Sequence, residues 1–154
     1  MLIAALLACD PASSPTTPAD ADSDLDTGGC AGTESELVAF VEARDTTGAA
    51  CDPCSVGDLT FVGGFRNPCP EVAIDLAYDS TCFVAYHELT DPAGHVDSAG
   101  LDSCFPNATV SIPPGGIYEE PVTTASLTDV GTYRIDATFS TSPQRTATLT
   151  FAVQ

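Results

Sequence analysis

Toward the C-terminus apolar and polar residues alternate with a period of two. Tyr133, Ile135, Ala137 and Phe139 interleave with Thr132, Arg134, Asp136 and Thr138. Beyond residues 140–144, Ala147, Leu149, Phe151 and Val153 interleave with Thr146, Thr148 and Thr150. Alternation of this kind buries one face of a strand and wets the other, so the two runs predict an antiparallel hairpin. Pro143 suits the turn, because it has no N–H to give to a ladder.

The same pattern recurs upstream. Val72, Ile74, Leu76 and Tyr78 alternate with Ala73, Asp75 and Ala77, residues 79–81 read as a turn, and residues 82–89 read as the returning strand. Further strands are expected at 37–43, 59–65 and 108–112, with a weaker one at 118–127. The separators are turn-formers: Asp45-Thr46-Thr47-Gly48, Asn67-Pro68, Asp91-Pro92-Ala93-Gly94 and Pro113-Pro114-Gly115-Gly116. No window carries a helical period. About seven or eight short strands with regular turn signals describe an all-β antiparallel sandwich.

Residues 1–29 do not belong to that pattern. Met1 to Ala8 form an apolar run closed by Cys9, and residues 10–29 are almost wholly Pro, Ser, Thr, Ala, Asp and Gly. Such a stretch buries too little to offset the entropy of ordering, and Asp20, Asp22, Asp24 and Asp26 repel one another, so a disordered, extended tether is expected. The chain thus divides into a signal-peptide-like segment (1–8), Cys9 with an acidic linker (9–29), and a globular domain (30–154). The apolar run is far short of the roughly 20 residues a spanning helix needs. Asp22, Asp24 and Asp26 alternate like the ligands of a calcium loop, but Thr27 stands where such a loop requires Gly and Thr33 where it requires Glu.

Charge narrows the partners. There are 22 acidic residues against 4 basic ones, all Arg, for a net charge of −18. A surface of that sign repels phosphate backbones, which excludes nucleic acid as a partner class. The 7 cysteines point to an oxidising compartment. Cys9 is the odd one; Cys30, Cys51, Cys54, Cys69, Cys82 and Cys104 suffice for bridges. If residues 71–78 and 82–89 pair as a hairpin, Cys69 falls at its open end near Cys104. Cys82 then falls at its turn end near Cys51 or Cys54, and the remaining one goes to Cys30.

Three resemblances follow from short motifs. Leu6-Leu7-Ala8-Cys9 resembles the lipobox of bacterial lipoproteins, which implies cleavage before Cys9 and acylation of its thiol, although no basic residue precedes the apolar run. Asp129-Val130-Gly131-Thr132-Tyr133 resembles the tyrosine corner of immunoglobulin-like folds, with Ile135 where antibody domains have Cys and no Trp in the chain. The order Leu59-Thr60-Phe61, Asn67-Pro68, Asp91 to Gly94, Pro114-Gly115 and Gly131-Thr132-Tyr133 is faintly similar to the intracellular proteinase inhibitors of bacilli, a β-sandwich family.

Templates for catalysis are missing: no Gly-x-Ser-x-Gly elbow, His-Glu-x-x-His, P-loop or dinucleotide glycine pattern occurs. Asp26-Thr27-Gly28 matches the aspartic-protease triplet once, without the second copy that chemistry requires. Cys51-Asp52-Pro53-Cys54 has redox spacing but lies in a loop of an all-β chain, so it reads as structural, and His87 and His95 form no cluster with it. No catalytic residue, metal ligand or cofactor is assigned. The expected function is a non-catalytic lipoprotein of the bacterial envelope, in the periplasm or on the cell surface. It is held to the membrane by lipid and presents an immunoglobulin-like module to an unidentified protein or serves structurally. The alternatives are a proteinase-inhibitor-like domain, or a hydrolase or metal-dependent enzyme using clustered carboxylates.

Overall fold

The computed structural model describes residues 29–79, 82–100 and 107–154. Cys9, the acidic linker to residue 28 and Cys104 lie outside them. Among the described residues, a short 3-10 turn at Glu34–Glu36 is followed by nine strands: β1 Val38–Arg44, β2 Gly57–Arg66, β3 Ile74–Asp79, β4 Val84–Thr90, β5 Val96–Gly100, β6 Asn107–Ile112, β7 Ile117–Leu127, β8 Gly131–Phe139 and β9 Arg145–Val153. They form three antiparallel sheets, ordered β1-β2-β7, β5-β4-β8-β9 and β3-β6.

The first two sheets face each other. Phe61 and Phe65 of β2 pack against Phe151 of β9 and Phe139 of β8, with ring centroids 5.6 and 5.1 Å apart. All four rings are buried, each contributing about 1.5–3 kcal/mol by leaving water. Together the two sheets make an all-β antiparallel sandwich, three strands on one side and four on the other. The C-terminal hairpin sets its register by the alternation in the sequence. Tyr133 pairs with Phe151, Ile135 with Leu149 and Ala137 with Ala147, all on the core side of β8 and β9.

The expected hairpin of residues 71–78 with 82–89 does not form. β3 pairs with β6, and β4 pairs with β5 and β8. Phe83 explains the crossing: it is 1% exposed and packs edge-on against Tyr78 at 5.1 Å, which draws the chain across the core instead of back along β3. Ser140 pins the crossing from the other sheet, its N–H donating to Phe83 O (3.0 Å) and its hydroxyl to Cys82 O (2.6 Å). The β3–β6 ribbon buries Ile74, Leu76 and Ile112 and closes one end of the sandwich.

Disulfide pairing differs from expectation for the same reason. The bonds are Cys30–Cys69 and Cys51–Cys54; Cys82 is also disulfide-bonded. Without the hairpin, Cys69 and Cys82 do not mark opposite ends of one ribbon. Cys69 instead meets the incoming chain, and Cys51 and Cys54 close on each other.

The two ends of the sandwich are distinct. At the near end the chain enters through Cys30, beside loop 67–73 and turns 113–116 and 140–144. Arg145 there donates to the carbonyls of Glu34 (3.0 Å) and Leu37 and lies over the Phe65 ring at 5.0 Å. At the far end lie loop 45–56, turn 91–95, turn 128–130 and Gln154. The pairings Gly57 with Leu127 and Gly131 with Val153 fix these segments together.

Candidate functional site

Two of the far-end loops are built from one local design. In Asp45-Thr46-Thr47-Gly48-Ala49 the Asp45 carboxylate accepts from Thr47 N (2.8 Å), the Thr47 hydroxyl (2.6 Å) and Ala49 N (3.1 Å). In Asp91-Pro92-Ala93-Gly94-His95 the Asp91 carboxylate accepts from Ala93 N and His95 N, both at 2.8 Å, and its other oxygen is 2.9 Å from His95 Nδ1. Gly48 and Gly94 close the turns at φ of 84° and 87°, a left-handed conformation that glycine adopts without strain. These donors hold both carboxyls below the ordinary carboxylate range. The Thr47 hydroxyl is the leading cause for Asp45 and the His95 ring for Asp91. Both groups are therefore ionised turn anchors, not proton donors.

The third loop joins β7 to β8. The Tyr133 hydroxyl donates to Asp129 O at 3.1 Å, four residues back, and burial pushes its pKa up. Gly131 has φ 149°, and a Cβ there would meet Pro92 Cγ at 2.7 Å. The corner thus packs directly on the Asp91–His95 turn. Between them lies an open depression of about 380 Å³ bordered by Asp91, Asp97, Asp129, His95 and Tyr133. His95 is 83% exposed at its side chain. His87 lies on β4 away from this depression, half-buried, and burial lowers its pKa.

Cys51 and Cys54 hold the remaining loop to both sheets. Cys51 N donates to Ala43 O of β1 (3.0 Å), Cys54 N to Ala152 O of β9 (2.8 Å), and Gln154 N to Cys54 O (3.0 Å). Asp52 accepts from Ala152 N at 3.2 Å. The pair seams the edge where the two sheets meet.

Among the described residues, Cys30, Glu36 and Cys69 bring one ligand atom each within 4.8 Å. The two sulfurs are bonded to each other, however, and the Glu36 carboxylate accepts from Ala31 N (2.9 Å) and Thr33 N (2.8 Å). The cluster is a staple and a turn cap. Of the residues singled out from sequence, the far end brings together Cys51, Cys54, Asp129, Gly131, Tyr133 and His95. Cys30 and Cys69 lie at the near end, and Cys82 lies beside the crossing to β4.

Both Asp-x-x-Gly segments read from sequence as turns, but the anchoring of each turn by its Asp carboxylate was not read, although the repeated motif was a legible signal; the contact of Pro92 with Gly131 had none. Comparison of the chain with protein-family models and with curated proteins finds no match.

Proposed function

We propose that this chain is an exported, lipid-anchored envelope protein. Its sandwich is a non-catalytic module that offers its far-end loops to a protein partner. The observation that carries the reading is the separation of ends. The chain enters beside the Cys30–Cys69 staple, while loop 45–56 and turns 91–95 and 128–130 stand together at the opposite end. A tether on the near side leaves the far loops turned away from the anchoring surface, and loops on a rigid scaffold are the usual place for recognition.

The disulfides fit an oxidising, extracellular setting. No helix among the described residues is long and apolar enough to cross a membrane, so attachment in this reading falls to acyl chains on Cys9, several of which anchor stably where one does not. Asp45 and Asp91 are taken up as anchors of their turns, which suits loops held in a fixed shape for display.

The test uses the gene with its native upstream region. The unaltered protein is expected in the membrane fraction and the Cys9→Ser variant in the soluble fraction. Equal soluble recovery of both overturns the anchor, and reproducible turnover by purified, metal-stripped protein overturns the non-catalytic assignment.

A further inference from the structure

The Cys51–Cys54 bond sits in a cradle that does not depend on it. The three main-chain hydrogen bonds that tie these residues to β1 and β9 involve no sulfur. Each sulfur also faces a carbonyl: Cys54 Sγ is 3.0 Å from Cys51 O, and Cys51 Sγ is 3.7 Å from Ala43 O. A disulfide sulfur has no proton to give, whereas a thiol is a weak donor. The reduced pair therefore finds two acceptors already in position, and stabilising the reduced form makes a disulfide easier to reduce. The bond closes a sequence separation of only 3, against 39 for Cys30–Cys69, so it constrains the unfolded chain less.

Each bond has one half-buried cysteine, Cys51 or Cys30, and one buried one, Cys54 (1% exposed) or Cys69 (0%), but only Cys51 borders an open depression, of about 250 Å³, with Asp45, Pro53 and Asp58. Within the pair, Cys51 is the cysteine an incoming nucleophile meets first. At Cys30–Cys69 the Glu36 carboxylate lies within 4.8 Å of both sulfurs, a fixed negative charge that repels a thiolate.

We propose that Cys51–Cys54 is a thiol–disulfide exchange site, opened and closed by an external dithiol while the fold stays intact. The thiolate of the dithiol attacks Cys51 Sγ. An S–S bond forms between them, the Cys51–Cys54 bond breaks, and the electron pair leaves on Cys54 Sγ, which takes a proton from water. The second thiol of the reagent then attacks the mixed disulfide and releases Cys51 as a thiolate, which is protonated in turn. The protein disulfide gains two electrons and the dithiol is oxidised to its own disulfide. Asp45 and Asp58 border the approach, so an uncharged dithiol outpaces the anionic thiol glutathione.

The experiment titrates the folded protein with dithiothreitol, quenches with acid, alkylates and maps peptides. Cys51 and Cys54 are expected to become half-alkylated at roughly tenfold lower dithiothreitol than Cys30 and Cys69. Amide exchange in β1 and β9 should stay unchanged at that concentration. Opening of both bonds together, or of Cys30–Cys69 first, overturns the proposal. So does loss of exchange protection when only Cys51–Cys54 has opened. A double variant, Cys51→Ala with Cys54→Ala, is expected to keep a cooperative thermal transition; an unfolded double variant overturns the cradle on which the proposal stands.

Discussion

Asn67 shows how much one buried side chain can hold. It is 2% exposed, and its amide nitrogen donates among Val72 O (2.8 Å), Ile112 O (3.0 Å) and Pro113 O (3.1 Å), while its oxygen accepts from Cys69 N (2.9 Å). The side chain thereby joins the loop after β2 to the end of β6. Asn67→Ala leaves several buried polar groups without partners, and a loss of about 3 kcal/mol is expected from urea unfolding. A loss below about 1 kcal/mol would show that water replaces the amide there. In the sequence Asn67-Pro68 reads only as a turn. Its role is hidden because Ile112 is 45 positions away. The tyrosine corner was readable because both partners sit within one short motif, and the hydroxyl of Tyr133 bonds within it.

At the level of elements, alternation told which side of a strand is buried but not which strand lies beside it. β3 was recognisable from Ile74, Leu76 and Tyr78, yet its partner β6 follows from the crossing at Phe83, a tertiary event. β5 was missed because Val96-Asp97-Ser98-Ala99-Gly100 offers one large apolar residue and every position is exposed. β7 read as weak, its alternation interrupted by Glu119, Glu120 and Pro121, but it runs for 11 residues along β2 with a register shift opposite Phe61 and Val62. Strand position predicts local stability. β8, with β4 and β9 on either side and a buried face, is expected to exchange its amide protons slowest. β5, an edge strand with no buried residue, should exchange fastest of the strands. Hydrogen exchange followed by mass spectrometry reads this order directly, and equal protection of β5 and β8 would contradict it.

Over the whole molecule, acidity sets a balance between local anchoring and global repulsion. Donors hold Glu36, Asp45, Asp91 and Asp136 below the ordinary carboxylate range; the first causes are Thr33 N–H, the Thr47 hydroxyl, the His95 ring and the Arg134 guanidinium respectively. Folded values below unfolded ones mean that this stabilisation is complete above about pH 4 and drains as pH falls through the folded values. Repulsion in a chain of net charge −18 works the other way, weakening as other carboxylates take up protons. The thermal midpoint is therefore expected to peak near about pH 5 and fall below about pH 4. Raising salt to about 0.5 M should increase it more at pH 7 than at pH 5, because screening acts on the repulsion. A midpoint that declines steadily from pH 7 downward, measured by calorimetry, would show that the anchored carboxylates outweigh the repulsion throughout.

The Cys30–Cys69 bond has a mechanical meaning once one end of the sandwich is held and the other engaged. Tension arriving at Cys30 divides there. One branch runs along residues 31–37 into β1, and the other passes through sulfur to Cys69 and so reaches the end of β2. β1 and β2 are paired along their full overlap, from Val38 with Arg66 to Arg44 with Thr60, and ladder hydrogen bonds lie perpendicular to the strands. A pull along the long axis therefore loads β1 and β2 together from the same end, so the ladder between them carries little of it and the load passes on through the ladder of β2 with β7. The forked attachment makes the strand pair nearest the anchor a clamp, and the covalent link keeps β2 attached to the anchor even if β1 is stripped away.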